Sequence, residues 1–205
     1  KGVIGILSPW NFPVQLAFGP LMQVLAAGNR AMIKPSEFTE RTSELMAKLT
    51  AEYFAPEEVA VVTGSPEVAA AFSSLPFDHL VFTGATAIGR HVMRAAAENL
   101  VPVTLELGGK SPVVIGRSAD MSVAAARIMN GKTLNAGQTC LAPDYVLAPA
   151  DRLSDFVAAA KKSPCTSLTR PSAARPAVSG SRPRSCQSRT ASEYSMTVSP
   201  RTRLH

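Results

Sequence analysis

Short apolar segments alternate along the chain with longer amphipathic ones, and Gly, Pro, Ser or Thr marks each junction. Apolar runs of β type separated by segments of helical periodicity predict a parallel sheet with helices on both faces. A repeat of roughly 20 to 30 residues per strand–helix unit is typical of a doubly wound, Rossmann-like α/β domain. The predicted strands are residues 2–7, 31–34, 59–62, 79–82, 103–107 and 113–115, and the predicted helices are residues 14–27, 39–54, 66–73, 86–99 and 121–134.

One more strand, Tyr145 to Ala148, and one more helix, Arg152 to Lys161, are predicted before the pattern ends at Lys162. Residues 163–205 are rich in Ser, Arg and Pro and have no helical or strand periodicity, so they cannot bury enough apolar surface to offset the entropy of ordering. We expect a disordered tail or, because the pattern breaks abruptly, a frameshifted C-terminus. The chain also begins directly on a strand-like segment, as an internal fragment would.

The net charge of +6 lies in this tail, which holds seven arginines, one glutamate and no lysine or aspartate. Residues 1–162 are therefore neutral, and we expect no nucleic-acid partner, because Ser/Arg runs without interleaved aromatic side chains attract phosphate only weakly. No apolar run approaches 20 residues, so no membrane span is predicted. Cys140, Cys165 and Cys186 form neither a CxxC pair nor a metal-ligand spacing with the histidines. We expect no metal site and a reduced, cytoplasmic setting.

Cys140 is the candidate nucleophile. It follows a predicted helix and the polar run NAGQT, and Pro143 comes soon after it, so we predict that it lies on a turn. A thiol there can reach a substrate carbonyl, and its own backbone N–H can stabilise the oxyanion. The alternative is a small buried apolar residue, which an isolated cysteine most often is.

Two further polar residues follow apolar segments. Glu106, in VTLELGG, stands at the end of a predicted strand, where open α/β sheets bind their ligands. Partial desolvation there would raise the pKa of its carboxyl group toward the range of a general base, although the carboxylate could also simply cap the next turn. Asn11, in SPWNFP, lies between prolines and aromatic residues that fix the backbone, so its side-chain N–H could donate to an oxyanion instead of only forming a turn.

Two loops suit a dinucleotide, although the sequence has no GxGxxG fingerprint. FTGATAIG (Phe82 to Gly89) predicts a strand, a glycine turn and a helix whose first N–H groups can face a pyrophosphate. In KPSE, Lys34 and Glu37 follow a strand and can hold ribose hydroxyls, with Glu37 favouring an unphosphorylated 2′-OH. Either segment could equally be an ordinary loop or helix cap.

Taken together, five segments resemble the aldehyde dehydrogenase superfamily from Lys1 to about Lys162: PWNFP, KPSE, FTG followed by a GR helix start, LELGGKSP and NAGQTC. GQTCLAPDY and FTGAT are most similar to the class-three and coniferyl aldehyde dehydrogenase branch. The resemblance implies NAD(P)-dependent oxidation of an aldehyde to a carboxylic acid, and the similarity to that branch implies an aromatic, coniferyl-type aldehyde. It further implies a cofactor domain, partly present in residues 1–108, and the beginning of a catalytic domain in residues 109–162.

The resemblance also implies roles for single residues. Cys140 would form a thiohemiacetal, Asn11 and the Cys140 amide would hold its oxyanion, and Glu106 would activate the water that hydrolyses the thioester. The residues implied to contact NAD or NADP are Trp10, Lys34, Glu37, Gly84, Ala85, Thr86 and Leu107. The family is homo-oligomeric, and the elements that pair its subunits are expected to lie outside this chain.

The sequence departs from the family pattern at two places. Ala85 replaces the serine often found at the phosphate turn, and the later EIFGP-type motif, whose glutamate holds the nicotinamide ribose, does not occur. A catalytically incomplete fragment is therefore one alternative. An acylating semialdehyde dehydrogenase is another, and Glu106 argues against it because that reaction must avoid hydrolysis.

Overall fold

The computed structural model describes residues 2–163 and 197–199. The chain falls into two compact units, with the boundary between Gly108 and Gly109. Within the described residues, every helix is too short or too polar to cross a membrane.

The first unit is a doubly wound α/β fold. Its five parallel strands lie in the order β3-β2-β1-β4-β5, so the chain extends the sheet from β1 in one direction and then, from β4, in the other. The predicted fold class is confirmed. The strands are β1 (Val3–Leu7), β2 (Arg30–Lys34), β3 (Val59–Val61), β4 (His79–Gly84) and β5 (Val103–Leu107), and the helices are α1 (Gln15–Ala26), α2 (Glu40–Tyr53), α3 (Pro66–Ser73) and α4 (Thr86–Ala97).

Helices cover both faces of this sheet because neighbouring strand residues point to opposite sides. Ile6 packs with α1 and α2 in one apolar layer, together with Ile33 of β2. Its neighbour Leu7 packs with α3 and α4 in the other layer, together with Leu80 and Phe82 of β4. The central strands are therefore buried on both faces and hold their carboxyl ends in fixed positions.

The second unit has its own three-stranded parallel sheet, of order β6-β7-β8. Its core joins the two helices to the central strand through Ile128, Val146 and Phe156. The elements are β6 (Ser111–Val114), α5 (Met121–Thr133), β7 (Pro143–Leu147), α6 (Leu153–Lys162) and β8 (Thr197–Ser199), with short 3-10 turns over Leu134–Gly137 and Ala150–Arg152.

One sequence prediction is wrong here: no strand was expected beyond Lys162, yet β8 pairs with β7. Backbone groups at a free sheet edge can pair with any extended segment, so composition gave no signal for this strand. The rest of the predicted tail lies outside the described residues. The assignment of the units to a cofactor domain and a catalytic domain stays a prediction.

Candidate functional site

A cleft of about 710 Å³ opens at the carboxyl ends of β1, β2 and β4. Its volume is that of an ordinary small-molecule site, which is roughly 300–1,000 Å³. β1 and β4 are the neighbouring strands from which the chain turns in opposite directions, which is where open sheets bind their ligands. Five of the predicted cofactor contacts line this cleft: Trp10, Lys34, Glu37, Gly84 and Ala85.

Lys34, the last residue of β2, is 2% exposed although it lines the cleft. Its ammonium group donates to the carbonyl oxygen of Pro35 at 2.8 Å. Burial lowers the pKa of Lys34, and the nearby Glu37 carboxylate raises it in part. An ammonium group has three donors, so Lys34 can also donate to a ligand in the cleft.

The loop after β2 is held by hydrogen bonds around Ser36. The Ser36 hydroxyl accepts from the Phe38 N–H at 3.3 Å, and its carbonyl accepts from the hydroxyls of Thr39 and Ser43 at 3.3 and 3.1 Å. Glu37 lies inside this hydrogen-bonded turn and faces the cleft. The turn therefore fixes the backbone of Glu37 at the cleft.

The N-terminus of α4 forms another part of the cleft. Ala85 occupies the N-cap position with extended backbone (φ −71°, ψ 141°) and supplies no side-chain acceptor to the helix. The first N–H groups of α4, beginning at Thr86, lack intrahelical acceptors and carry the positive end of the helix dipole. This end suits a phosphate group. Gly84 permits the turn, because a Cβ there would lie 2.6 Å from the ring of Phe82.

Leu107 lies outside the cleft-lining residues. Its side chain instead packs against α4, where a Cβ at Gly89 would come within 2.9 Å of the Leu107 Cδ2 atom. Its predicted cofactor contact stays a prediction.

The two helical walls of the cleft were not predicted from the sequence as part of the site. Each wall is a stripe spaced i, i+3, i+4, i+7, which is one face of a helix. Periodicity identifies such a face but does not separate a core face from the wall of a cleft. The walls are Pro66, Ala69, Ala70 and Ser73 of α3, and Ile88, His91, Val92 and Ala95 of α4.

Asn11 and Glu106 both belong to the first unit and differ in exposure. Asn11 is partly buried in the loop between β1 and α1, directly after Trp10. Glu106 is exposed, as is Thr104 on the same face of β5. The partial desolvation predicted for Glu106 is therefore wrong for the first unit. The reason is that β5 is an edge strand whose 104/106 face has no cover within this unit.

Cys140 lies in the second unit, with its thiol free and exposed. The Ala142 N–H donates to the Thr139 carbonyl at 3.1 Å, so Cys140 lies on a turn as predicted. The alternative of a small buried residue is wrong. The turn follows three consecutive left-handed residues, Asn135, Ala136 and Gly137, with φ of 51°, 56° and 79°.

A parallel α/β unit with a ligand cleft at its switch point defines the first unit as Rossmann-like. Residues 1–175 match the model of the aldehyde dehydrogenase family. The chain belongs to this family.

Curated relatives and solved structures support the same family. The chain is 71% identical over 157 residues to a Caulobacter vibrioides protein named "Probable coniferyl aldehyde dehydrogenase", covering 77% of this chain and 32% of the relative. It is 63% identical to the coniferyl aldehyde dehydrogenase of a Pseudomonas species, covering 78% and 34%. The substrate-bound AldH of Staphylococcus aureus superimposes with a TM-score of 0.75 at 45% identity, covering 78% and 35%. An NAD+ complex of a Mycobacterium tuberculosis aldehyde dehydrogenase gives 0.71 at 39% identity, covering 77% and 33%. The chain thus spans about a third of the length of the curated relatives it matches.

Proposed function

We propose that this chain supplies the cofactor cleft and the nucleophile of an NAD(P)-dependent aldehyde dehydrogenase that oxidises an aldehyde to a carboxylic acid. The observation that carries the proposal is the cleft in which Lys34, Glu37 and the uncapped N-terminus of α4 meet. The names of two similar curated relatives support a coniferyl-type aromatic aldehyde as the substrate.

The residues of the cleft fit a dinucleotide. The Lys34 ammonium and the Glu37 carboxylate would hold the adenosine ribose, and the N–H groups that follow Ala85 would hold the pyrophosphate. The apolar walls of α3 and α4 would take the adenine ring. Glu37 favours NAD over NADP, because a carboxylate repels a 2′-phosphate.

The chemistry would begin at Cys140. Its thiolate would attack the aldehyde carbon and form the C–S bond of a thiohemiacetal, and the family resemblance assigns the Asn11 side chain and the Cys140 N–H as donors to its oxyanion. A nicotinamide cofactor held in the cleft would supply the hydride acceptor, and loss of hydride from the thiohemiacetal carbon would leave a thioester on Cys140. Glu106 would take a proton from the water that attacks the thioester, which would release the carboxylic acid and the Cys140 thiolate and leave the proton on Glu106.

The test is NAD+-dependent oxidation of cinnamaldehyde and benzaldehyde by the full chain and by Cys140→Ala. We expect the substitution to lower the rate at least about 10³-fold, because a nucleophile acts in every step that follows it. Cys165→Ala is the matched control and should leave the rate unchanged.

Binding can be measured separately, because Trp10 is the only tryptophan in the chain and lines the cleft. Its fluorescence should respond to NAD+ equally in the wild-type chain and in Cys140→Ala. Absence of any response would contradict the cofactor proposal, whereas retained oxidation by Cys140→Ala would contradict the nucleophile assignment.

A further inference from the structure

A small cluster of charged residues lies where the two ends of the Cys140 loop, Lys132 and Asp144, come together. This closed end of the 132–144 loop is called its neck. Asp144, near the start of β7, has its Oδ1 atom 3.9 Å from the Lys132 Nζ and 3.3 Å from the Lys110 Nζ. The side chains of Lys132 and Asp144 are only 11% and 27% exposed, whereas that of Lys110 is 80% exposed. The ion pair between Lys132 and Asp144 is therefore the sheltered one, and exposed pairs contribute little.

The loop from Lys132 to Asp144 has a backbone conformation that other contacts must hold in place. Asn135 and Ala136 adopt positive φ, which residues with a Cβ avoid unless the surrounding structure holds them there. At Gly137 a Cβ would lie 3.3 Å from the Lys132 carbonyl, so the loop folds back onto the end of α5. The strained part of the loop is thus in contact with the residue that supplies one half of the ion pair.

The other end of the cluster borders the nucleophile itself. A Cβ at Gly109 would lie 3.7 Å from the Cys140 carbonyl oxygen, and Gly109 immediately precedes Lys110. Gly109, next to Lys110, therefore lies close to the Cys140 backbone, and Lys132 and Asp144 flank the Cys140 loop in sequence.

We infer that Asp144 and Lys132 are positioning residues for Cys140: their ion pair closes the neck of the 132–144 loop and holds the thiol in one place. Closing the ends of a loop removes most of its alternative conformations. This inference rests on the proposed role of Cys140 as the nucleophile. It also gives a role to Asp144 of GQTCLAPDY, a motif residue that the chemistry does not use.

The test is hydrogen–deuterium exchange of the backbone amides of residues 134–142 in the full chain. Asp144→Asn and Lys132→Met should each speed this exchange on the order of tenfold, since both open the same neck. The double variant should be no faster than either single variant, because the pair acts as one unit. Lys110→Met is the matched control and should change the exchange less than about twofold.

Rescue separates positioning from a general loss of stability. Asp144→Glu keeps a carboxylate facing Lys132 and should bring the exchange back to within about threefold of the wild-type chain. Unchanged exchange in Asp144→Asn would overturn the inference. Equal acceleration throughout α5, α6 and β7 would also overturn it, because the effect would then be general unfolding of the second unit.

The function of the loop can be measured by alkylation of Cys140 with iodoacetamide, followed on the tryptic peptide 133–152, in which Cys140 is the only cysteine. In Lys132→Met the corresponding peptide, 128–152, still contains only that cysteine. We expect Asp144→Asn and Lys132→Met to change the alkylation rate together and Asp144→Glu to restore it; a rate unaffected by all three would contradict the inference. Failure of the proposed function would be detected in a different experiment, the activity assay, as retained aldehyde oxidation by Cys140→Ala.

Discussion

The N-termini of α4 and α5 are built in opposite ways. In α5 the Asp120 carboxylate accepts from the N–H groups of Ser122 and Val123 at 2.8 and 3.1 Å, so the first turn is satisfied by its own side chain. In α4 the equivalent position is Ala85, which has no acceptor to offer. An N-cap side chain generally stabilises a helix by about 0.5–2 kcal/mol, so α4 forgoes a gain that α5 takes. The first N–H groups of α4, which begin at the cleft, are therefore left available to a ligand, whereas those of α5 are not.

The same contrast separates the binding groups from the reacting groups. Lys34 and Glu37 are placed by strand β2 and a hydrogen-bonded turn, and the whole cleft is formed within the first unit. Cys140 and Glu106 are both exposed. A general base needs a partly desolvated carboxylate, so Glu106 requires cover that the first unit does not supply. The binding half of the proposed reaction is thus more complete in this chain than the chemical half.

The contrast between α4 and α5 predicts that substitution of Ala85 has the largest effect on NAD+ affinity. Ala85→Asp would give α4 the cap that α5 has, because the extended backbone at residue 85 suits an aspartate. We expect NAD+ affinity to fall on the order of 100-fold, since the carboxylate takes the N–H donors and repels the pyrophosphate. The thermal midpoint should rise at the same time. Trp10 fluorescence titration and circular dichroism melts measure the two effects.

Ala85→Ser is the control for this substitution. A serine hydroxyl caps without charge, so affinity should stay within about fivefold of the wild-type chain. Tight NAD+ binding by Ala85→Asp would show that the pyrophosphate does not lie on α4.

Lys34→Met has the next largest expected effect. The substitution keeps the shape of the buried stem and removes the ammonium group, so NAD+ affinity should fall about 10- to 100-fold, as when a charged hydrogen bond is lost. Stability should not fall, because the variant no longer buries a charge. Trp10 fluorescence again measures the binding.

The pH dependence of stability gives a second readout for Lys34. Because burial lowers its pKa, the folded chain holds the proton less tightly than the unfolded chain, whose value is near 10.5. Stability therefore rises with pH between the lowered pKa and 10.5, and Lys34→Met lacks this rise. Parallel melting curves of the two proteins across this range would contradict the buried ammonium.

Most of the fold was predictable from the sequence because local signals agreed with the tertiary structure. The helix over Pro66–Ser73 and the strand over Val103–Leu107 have the predicted bounds. Both are delimited by strong signals, a proline at the first turn of α3 and the glycines after β5. Lys34 and Gly84, which the sequence predicts at strand ends and as cofactor contacts, line the same cleft.

The sequence could not show which side chains the rest of the fold buries. Glu106 stands near the end of an apolar strand, as a buried carboxylate could, and only the strand order shows that β5 is an edge strand. The N-cap of α5 is indicated in the sequence by Asp120. The left-handed backbone at Ala136 is indicated by nothing in the sequence, since alanine normally avoids that region. The contacts of Asp144 join residues 12 and 34 positions apart, and pairing at that distance has no local pattern.

The smallest effect on cofactor binding is expected at Asp120. Asp120→Ala should lower the melting temperature of the second unit and leave NAD+ affinity unchanged, because this cap serves only its helix.

Hydrogen bonds from the Ser122 hydroxyl and then from the N–H groups of Val123 and Ser122 lower the pKa of the Asp120 carboxyl group. The stability that the carboxylate contributes is therefore present above its unfolded pKa, near 3.8, and is lost as the pH falls through the lowered value. The melting curves of the wild-type chain and Asp120→Ala should converge there, whereas Asp120→Asn, which caps without a charge, should keep its advantage over Asp120→Ala at every pH. A change in NAD+ affinity in Asp120→Ala would show that α5 is not the closed, purely structural counterpart of α4.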